Sequence, residues 1–391
     1  MGATVHQVAR RAGVGSMTVS RVINNHASVR PETRRRVLKA LRELDYVPNG
    51  LAKSLRRGST RTLGLVVGDV SNPFFTLIAR GVEDAATAAG YSVILCNSDD
   101  DPAKEKLYLD VLAHQRIDGL VLTPSRSAPQ GVVEWARRFG PVCLIDRAVS
   151  GLDGRSSAID VVRGENVESA RALVGHLAGH GHTRIGIVNG PLELDTAADR
   201  LAGYRRALAD ARLTPRPGLE RHGRFTVEAG REMTLDLLRR RDRPTALFAT
   251  NNFLALGALE AAAERGLSVP EDLAIVTFED LPHVATVWPF LSVAAQPATA
   301  MGHEAARFVL ERIERRRHDR RQSSDKSSDQ SIDKSSDQNA DQKPRKKSRH
   351  AAPEPLPGRE LVLPTTLHLR RSCGCLPPGA EATSARRETR P

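Results

Sequence analysis

Residues 8–24 read Val8-Ala9-Arg10-Arg11-Ala12-Gly13-Val14-Gly15-Ser16-Met17-Thr18-Val19-Ser20-Arg21-Val22-Ile23-Asn24. Val5, Val8, Ala9 and Ala12 share one helical face, and Gly13 stands where the chain must turn, a position open to positive φ. Just upstream, Thr4-Val5-His6-Gln7 has the form of a capping box, which predicts a helix start at this point. A second helix beginning near Ser16 turns Val19, Val22 and Ile23 inward and leaves Ser16, Met17, Ser20 and Arg21 facing out. Small Ala9 permits close helix approach, Gly13 makes the turn and Val19 fills the angle, which is the spacing of a helix-turn-helix. A third helix is predicted from Pro31 to Leu44. Its Val37, Leu38, Leu41 and Leu44 would cover the other two, with Arg34, Arg35 and Arg36 left to solvent or phosphate.

Charge supports a polyanionic partner for this segment. Residues 1–60 hold twelve Lys or Arg against Glu32, Glu43 and Asp45, so they carry nine of the chain's net +12 and the remaining residues share three. A local basic excess of that size binds nucleic acid by releasing its counterions. The 391 residues suit two or three domains, and 40% hydrophobic residues are enough for a sizeable core. No run approaches the roughly 20 apolar residues that span a bilayer. Arg10, Arg11 and Arg21, with no apolar run between them, argue against a secretory signal, so a cytoplasmic protein is expected.

Val8-Ala9, Ala12-Gly13-Val14, Thr18 to Asn24, Pro31-Glu32-Thr33 and Tyr46-Val47-Pro48-Asn49 together resemble the headpiece of the LacI/GalR bacterial transcriptional regulators, and the resemblance runs through nearly the whole chain. It implies that the second helix enters the major groove with Ser16, Met17 and Arg21 toward base edges. Arg21 would donate two parallel hydrogen bonds to a guanine, and Met17 would offer an apolar contact, for example to a thymine methyl. Thr4, Gly15, Thr18, Ser20, Asn24 and Arg30 complete the expected DNA-facing set. Two of these depart from the family, which usually places serine at the positions of Gly15 and Arg30. A glycine can still cap a helix, but the phosphate contact of that hydroxyl is lost, while Arg30 supplies a new cation.

Asn49 to Arg57 reads as a short helix with Leu51, Ala52 and Leu55 on one stripe, too short to persist alone. Without the resemblance, Leu51 and Leu55 would be ordinary core. With it, Asn49, Lys53 and Arg56 are candidate DNA contacts, and Leu55 is expected to wedge into the minor groove of a palindromic operator held by a homodimer. Domain limits are expected at 1–47 for the headpiece, 48–60 for the hinge, and 61–316 with 356–375 for a ligand domain.

From Thr62 onward, short apolar runs alternate with amphipathic stretches, which argues for parallel βαβ units in an α/β class. Strands are predicted at Leu63–Val67, Ser92–Cys96, Gly119–Leu122, Val142–Ile145, Arg184–Val188, Ala246–Ala249 and Ala274–Phe278, with helices near 165–180, 197–211, 227–240 and 252–265. That two lobes clasp an effector between them, as in periplasmic binding proteins, is what the resemblance implies. No dinucleotide fingerprint or phosphate-cradling glycine loop occurs, because Arg184 takes the third-glycine position after Gly179-His180-Gly181, and no enzyme or cofactor is expected. No metal is expected either. His176 and His180 stand four apart without a following glutamate, and Cys96, Cys143, Cys373 and Cys375 lack zinc-ligand spacing. Cys96 and Cys143 lie in apolar runs and read as buried packing residues, His182 reads as packing and capping, and Cys373-Gly374-Cys375 stays unassigned.

Phe74, Asp146, Arg147, Leu194, Thr196, Arg200, Phe225, Asn252 and Glu279 are the effector-binding candidates. Phe74 would press on an effector ring, with Phe75 more in the core. Most of these positions follow predicted strand ends, where ligands of open α/β sheets gather irrespective of family. Carboxylates, amides and guanidinium groups suit a polyhydroxylated ligand, and a sugar is expected. The family's purine-binding members carry arginine at the position of Leu194, and most members carry aspartate at that of Glu279. Asp280 and Arg147 could equally be solvent-facing strand-end charges.

Residues 323–330, Ser-Ser-Asp-Lys-Ser-Ser-Asp-Gln, recur as 331–338 with Ile332 as the only change, and like charges would stack on a helix face. A disordered insertion is therefore expected over 317–355, and a disordered tail over 376–391. Leu361–Pro364 and Arg371-Ser372-Cys373-Gly374 resemble the family's closing strand and end. No leucine heptads follow, so a dimer is expected and no tetramer. The overall reading is an effector-controlled repressor. Its rivals are a soluble sugar-binding or sugar-processing protein with an incidental basic headpiece, and an architectural DNA-binding protein with a vestigial pocket.

Overall fold

The computed structural model describes residues 3–46, 59–125, 129–149, 158–281, 290–332 and 357–375. The chain divides into two compact units, Met1–Thr60 and Arg61–Pro391.

The first unit holds α1 (Val5–Ala12), α2 (Ser16–Ile23) and α3 (Pro31–Glu43). Thr4 caps α1: its backbone N–H donates to Gln7 Oε1 at 2.7 Å, and its hydroxyl accepts from Gln7 N at 3.3 Å. Gly13 ends α1 at φ +62°. Val8, Ala9, Ala12, Val19, Val22, Val37 and Ala40 make the core. Leu38, expected inside, is 44% exposed. The inward stripe of α3 runs Val37, Ala40, Leu41 and Leu44, and Leu38 is a quarter-turn off it. Arg34 is not left to phosphate: its guanidinium donates to Asn25 Oδ1 and to the His26 carbonyl, both at 2.7 Å, and so fixes the loop before α3.

The second unit is α/β, with two six-stranded sheets. In chain order its elements are β1 (Thr62–Val67), α4 (Pro73–Ala88), β2 (Ser92–Asn97), α5 (Pro102–His114), β3 (Gly119–Leu122), α6 (Pro129–Arg138), β4 (Val142–Ile145), β5 (Asp160–Gly164), α7 (Val167–Gly179), β6 (Ile185–Asn189), α8 (Asp195–Asp210), β7 (Glu220–His222), α9 (Val227–Leu238), β8 (Ala246–Ala249), α10 (Asn252–Glu264), β9 (Ala274–Phe278), β10 (Ser292–Ala295), α11 (Ala298–Ile332), β11 (Glu360–Leu363) and β12 (Thr366–His368). The first lobe orders its sheet β11-β5-β4-β3-β1-β2 and the second β12-β10-β9-β8-β6-β7; every pairing is parallel except that of β12 with β10.

The chain passes between the lobes after β5, after β10 and after β11, and these passages run side by side. Glu165 N donates to the Leu363 carbonyl at 3.0 Å, and a side chain at Gly164 would collide with Gln296. Helices α4 and α11 cover the first sheet at very short range: a Cβ on Gly81 would stand 2.0 Å from the Thr299 carbonyl oxygen, so only glycine permits that approach.

Helix α11 continues to Ile332, so residues 317–332 are helical where disorder was expected. Met301, Ala305, Phe308, Val309 and Ile313 bury its first half, and Arg317 pairs with Asp118 at 3.0 Å. A helix already anchored lengthens without a new nucleation cost, which offsets the poor propensity of serine. The rest of the expected insertion, 333–355, lies outside the described residues.

Candidate functional site

On the headpiece, Gly15 precedes α2 without a side-chain cap. Met17 is 70% exposed, and Arg21 is exposed with no acidic partner among the described residues. Ser16 Oγ lies 3.1 Å from His6 Nδ1. Asn24 turns back on its own helix, donating to the Ser20 carbonyl at 2.8 Å, which leaves its amide less free for DNA than the sequence suggests. Thr18 and Ser20 are half-buried, and Arg30 is exposed just before α3. Thr4 serves as the helix cap already described. The hinge candidates Asn49, Lys53, Leu55 and Arg56 lie outside the described residues.

A cavity of about 660 Å³ opens between the two lobes of the second unit. The C-terminal ends of β1, β2, β4, β6, β7, β8 and β9 converge on it, as parallel sheets dictate. Phe74, Asp146, Arg147, Leu194, Thr196, Arg200, Phe225 and Glu279 all line it. Asn252 does not; its neighbour Asn251 does. Asn252 is fully buried and exchanges two hydrogen bonds with Asn72, amide to amide, each 3.0 Å long. Because Asn72 precedes α4 and Asn252 begins α10, this pair clasps the first lobe to the second beside the cavity.

Two arginines form the polar floor. Arg147 is almost wholly buried and grips Asp100 with both terminal nitrogens, at 2.6 and 3.2 Å, while its Nε stands 3.5 Å from Asp146 Oδ2. Arg147 is thus a buried, paired group rather than a solvent-facing charge. Arg200 donates to Asn166 Oδ1 at 2.8 Å, to the Thr250 carbonyl at 2.6 Å and to Glu279 Oε1 at 3.1 Å, and it lies over the Phe278 ring at 4.1 Å. Gln296 also donates to Glu279 Oε1 at 2.8 Å. Asp280 turns away to pair with both terminal nitrogens of Arg370, at 3.1 and 2.6 Å.

Asp146 and Glu279 hold left-handed backbone conformations, φ +69° and +61°, unusual for residues other than glycine. Asp146 Oδ1 is buried without a hydrogen-bond partner. Burial pushes the Asp146 carboxyl up to about 7 against the opposing pull of Arg147 and Arg200, with Glu279 and Asp195 adding to the rise. Near neutrality this group therefore both accepts and donates. Phe225 sits hard against Gly190, where a Cβ would meet the ring at 2.1 Å. Phe74 meets Phe75 edge to face at 5.3 Å.

Sequence reasoning missed Asp69, Asp99, Asp100, Asp101, Arg224 and Thr226 in the lining. The rule that named Asp146 would have found Asp99 to Asp101, since they directly follow β2. It also held His176 and His180 apart from Cys373 and Cys375, which the fold brings together: His176 Nε2 lies 3.3 Å from Cys373 Sγ and 3.1 Å from Cys375 Sγ. Cys96 and Cys143 are buried in the first lobe, and His182 Nδ1 meets Thr245 Oγ1 at 3.0 Å.

A family model described as bacterial regulatory proteins, lacI family, matches residues 4–49, and one for a periplasmic binding protein-like domain matches 174–330. The HTH-type transcriptional repressor PurR of Aliivibrio salmonicida (strain LFI1238) is 36% identical over 319 residues, covering 81% of this chain and 94% of that protein. The chain belongs to the LacI family of bacterial regulatory proteins. Among solved structures, a transcriptional regulator CelR–cellobiose complex is 28% identical with a TM-score of 0.64, covering 95% of this chain and 99% of that one. The lac repressor dimer bound to operator and the anti-inducer ONPF aligns with a TM-score of 0.73 over 95% of this chain and 99% of that one; at 23% identity it speaks for the shared fold. The family's members are DNA-binding regulators with a helix-turn-helix headpiece and a two-lobed effector domain, the two units seen here. Among the described residues, no helix is long and apolar enough to cross a membrane.

Proposed function

We propose that this chain is a transcriptional repressor that works as a homodimer on a palindromic operator and is controlled by a neutral, polyhydroxylated small molecule, a sugar, held between its lobes. The cavity carries the effector reading. Its lining has six carboxylates, Asp69, Asp99, Asp100, Asp101, Asp146 and Glu279, against three arginines, and Arg147 and Arg200 already spend their charge on Asp100 and Glu279. Such a site repels an anion and offers acceptors to hydroxyl groups, with Phe74 and Phe225 to cover an apolar ring face. The CelR relative, solved as a cellobiose complex, supports a carbohydrate effector.

On the DNA side, Arg21 and Met17 read base edges, Arg30 adds a phosphate contact, and Lys53, Leu55 and Arg56 supply minor-groove and phosphate contacts. The effector alters the lobes' closure and thereby the spacing of two hinges, a coupling typically worth about 1–3 kcal/mol.

Thermal shift against neutral sugars, sugar phosphates, nucleobases and nucleosides tests the effector class. A neutral sugar at about 100 times its dissociation constant should add roughly 2.7 kcal/mol. Stabilisation by anionic ligands alone would reject the neutral-sugar reading. Selection of bound fragments from genomic DNA tests the repressor, and recovery without a palindromic consensus would count against it.

A further inference from the structure

His176 and His180 stand one turn apart at the end of α7, with ring centroids 4.5 Å apart. The chain returns to this helix nearly two hundred residues later. A 3-10 turn, Arg371–Cys373, and Gly374 at φ +89° set Cys373 and Cys375 against the two rings. Cys375 Sγ is 3.1 Å from His176 Nε2 and 3.6 Å from His180 Nε2, and Cys373 Sγ is 3.3 Å from His176 Nε2. Donor atoms of His176, His180 and Cys375 all lie within 4.8 Å of one another.

We propose that His176, His180, Cys373 and Cys375 form a tetrahedral site for a zinc ion, a site separate from the effector cavity. Two imidazole nitrogens and two sulfurs are the donor set of structural zinc. Zinc–sulfur bonds of about 2.3 Å and zinc–nitrogen bonds of about 2.0–2.1 Å put neighbouring N and S ligands about 3.6 Å apart, close to the three N–S separations given above; Cys373, which meets the cluster through His176, moves toward His180 to complete the set. Hydrogen bonding alone explains the arrangement poorly. A neutral imidazole Nε2 has a single lone pair or a single proton, yet this one faces two sulfurs, and one of those sulfurs faces a second imidazole.

Protein packing prearranges the cysteine arm. Cys373 is fully buried and its thiol donates to the Arg370 carbonyl at 3.0 Å. Ser372 between them accepts from Ser292 N at 2.8 Å and donates to the Ile275 carbonyl at 2.6 Å, which fastens the turn to β10 and β9. His180 is exposed and Cys375 only half-buried, so an ion can enter from solvent. On binding, each thiol releases its proton to solvent and each thiolate donates an electron pair, so two thiolates balance the ion's two positive charges. The occupied site would join the segment after β12 to α7, the helix preceded by Asn166, which holds Arg200 in the cavity.

The test uses the full chain, reduced, stripped with a chelator and titrated first with Co(II) and then with Zn(II). One equivalent of Co(II) should give a thiolate-to-cobalt charge-transfer band in the near ultraviolet and intense visible bands of a tetrahedral ion, both erased by Zn(II), and Zn(II) should raise the thermal midpoint. Cys375→Ser and His180→Ala should each weaken Zn(II) binding at least tenfold without lowering the midpoint of the metal-free protein. Cys96→Ser, in the other lobe, should bind as the parent does. A pale octahedral Co(II) spectrum, or Zn(II) affinity equal in Cys375→Ser and the parent, overturns the proposal. So does a Cys373–Cys375 disulfide, found by mass two hydrogens lighter in the tail peptide of protein prepared without air.

Discussion

Arg21 and Asp146 occupy opposite electrostatic settings, and each yields a prediction from its surroundings. Arg21 is exposed beside Met17 on α2, with no acidic partner among the described residues, and is placed to take both acceptors of a guanine edge. Arg21→Ala should cost about 1–3 kcal/mol on the best operator and far less on scrambled duplex, as read by competition binding. Equal losses on both would assign Arg21 to phosphate instead. Asp146 is buried with its carboxyl raised from 3.8 to about 7. Between those values the folded protein keeps a proton that the unfolded chain has released. This contribution to stability is therefore full at acid pH and is lost as pH rises through about 7. Asp146→Asn cannot titrate, so its stability relative to the parent should improve from pH 5 to pH 8 by on the order of a few kcal/mol. Parallel pH profiles for the two proteins would show that the carboxyl is ionised throughout.

At the scale of elements, two close approaches hold the second unit together. Gly81 of α4 admits the backbone of α11, and Gly81→Ala should destabilise by about 1–3 kcal/mol in urea unfolding, because a backbone carbonyl cannot step aside as a side-chain tip can. An unchanged midpoint would mean the two helices slide freely. The Asn72–Asn252 clasp joins α4 to α10, and Asn252→Ala leaves the buried Asn72 amide without its partner, at about 1–3 kcal/mol. Effector affinity should change with it, because the clasp sits on the lobe boundary. These elements also show where sequence reading succeeds. Gly119–Leu122, Val142–Ile145 and Ala246–Ala249 are unbroken apolar runs and Ala274–Phe278 is interrupted only by Thr277, and the predicted limits of all four agree with the observed strands. β5 was invisible because it opens on Asp160, whose burial depends on Arg312 and Arg359, 152 and 199 residues away. β7, Glu220-Arg221-His222, is a polar edge strand defined only by its neighbour β6. The cavity followed from the rule of strand C-terminal ends, whereas the choice between Asn251 and Asn252 depended on which side of a helix start faces the cleft. No local pattern could join His176 to Cys375.

For the whole molecule, the division at Thr60 sets the last prediction. Every residue lining the cavity falls between Gly68 and Glu279, and the three passages between lobes all lie beyond Arg61. The basic excess, by contrast, lies before residue 61. A chain reduced to residues 61–391 should therefore fold, bind the same effector with unchanged affinity by calorimetry, and lose operator retention altogether. The full chain adds a condition that the fragment cannot meet. Binding and effector response are thermodynamically reciprocal, so operator DNA must change the effector's dissociation constant in the full chain by the same factor that the effector changes operator affinity. For a coupling of about 1–3 kcal/mol that factor is about 5–150, and it should be absent in the fragment mixed with the same DNA. Equal effector affinity in the full chain with and without operator would uncouple the two units and leave a DNA-binding protein whose pocket serves another purpose. A fragment that still retained operator would instead move the DNA interface out of the headpiece.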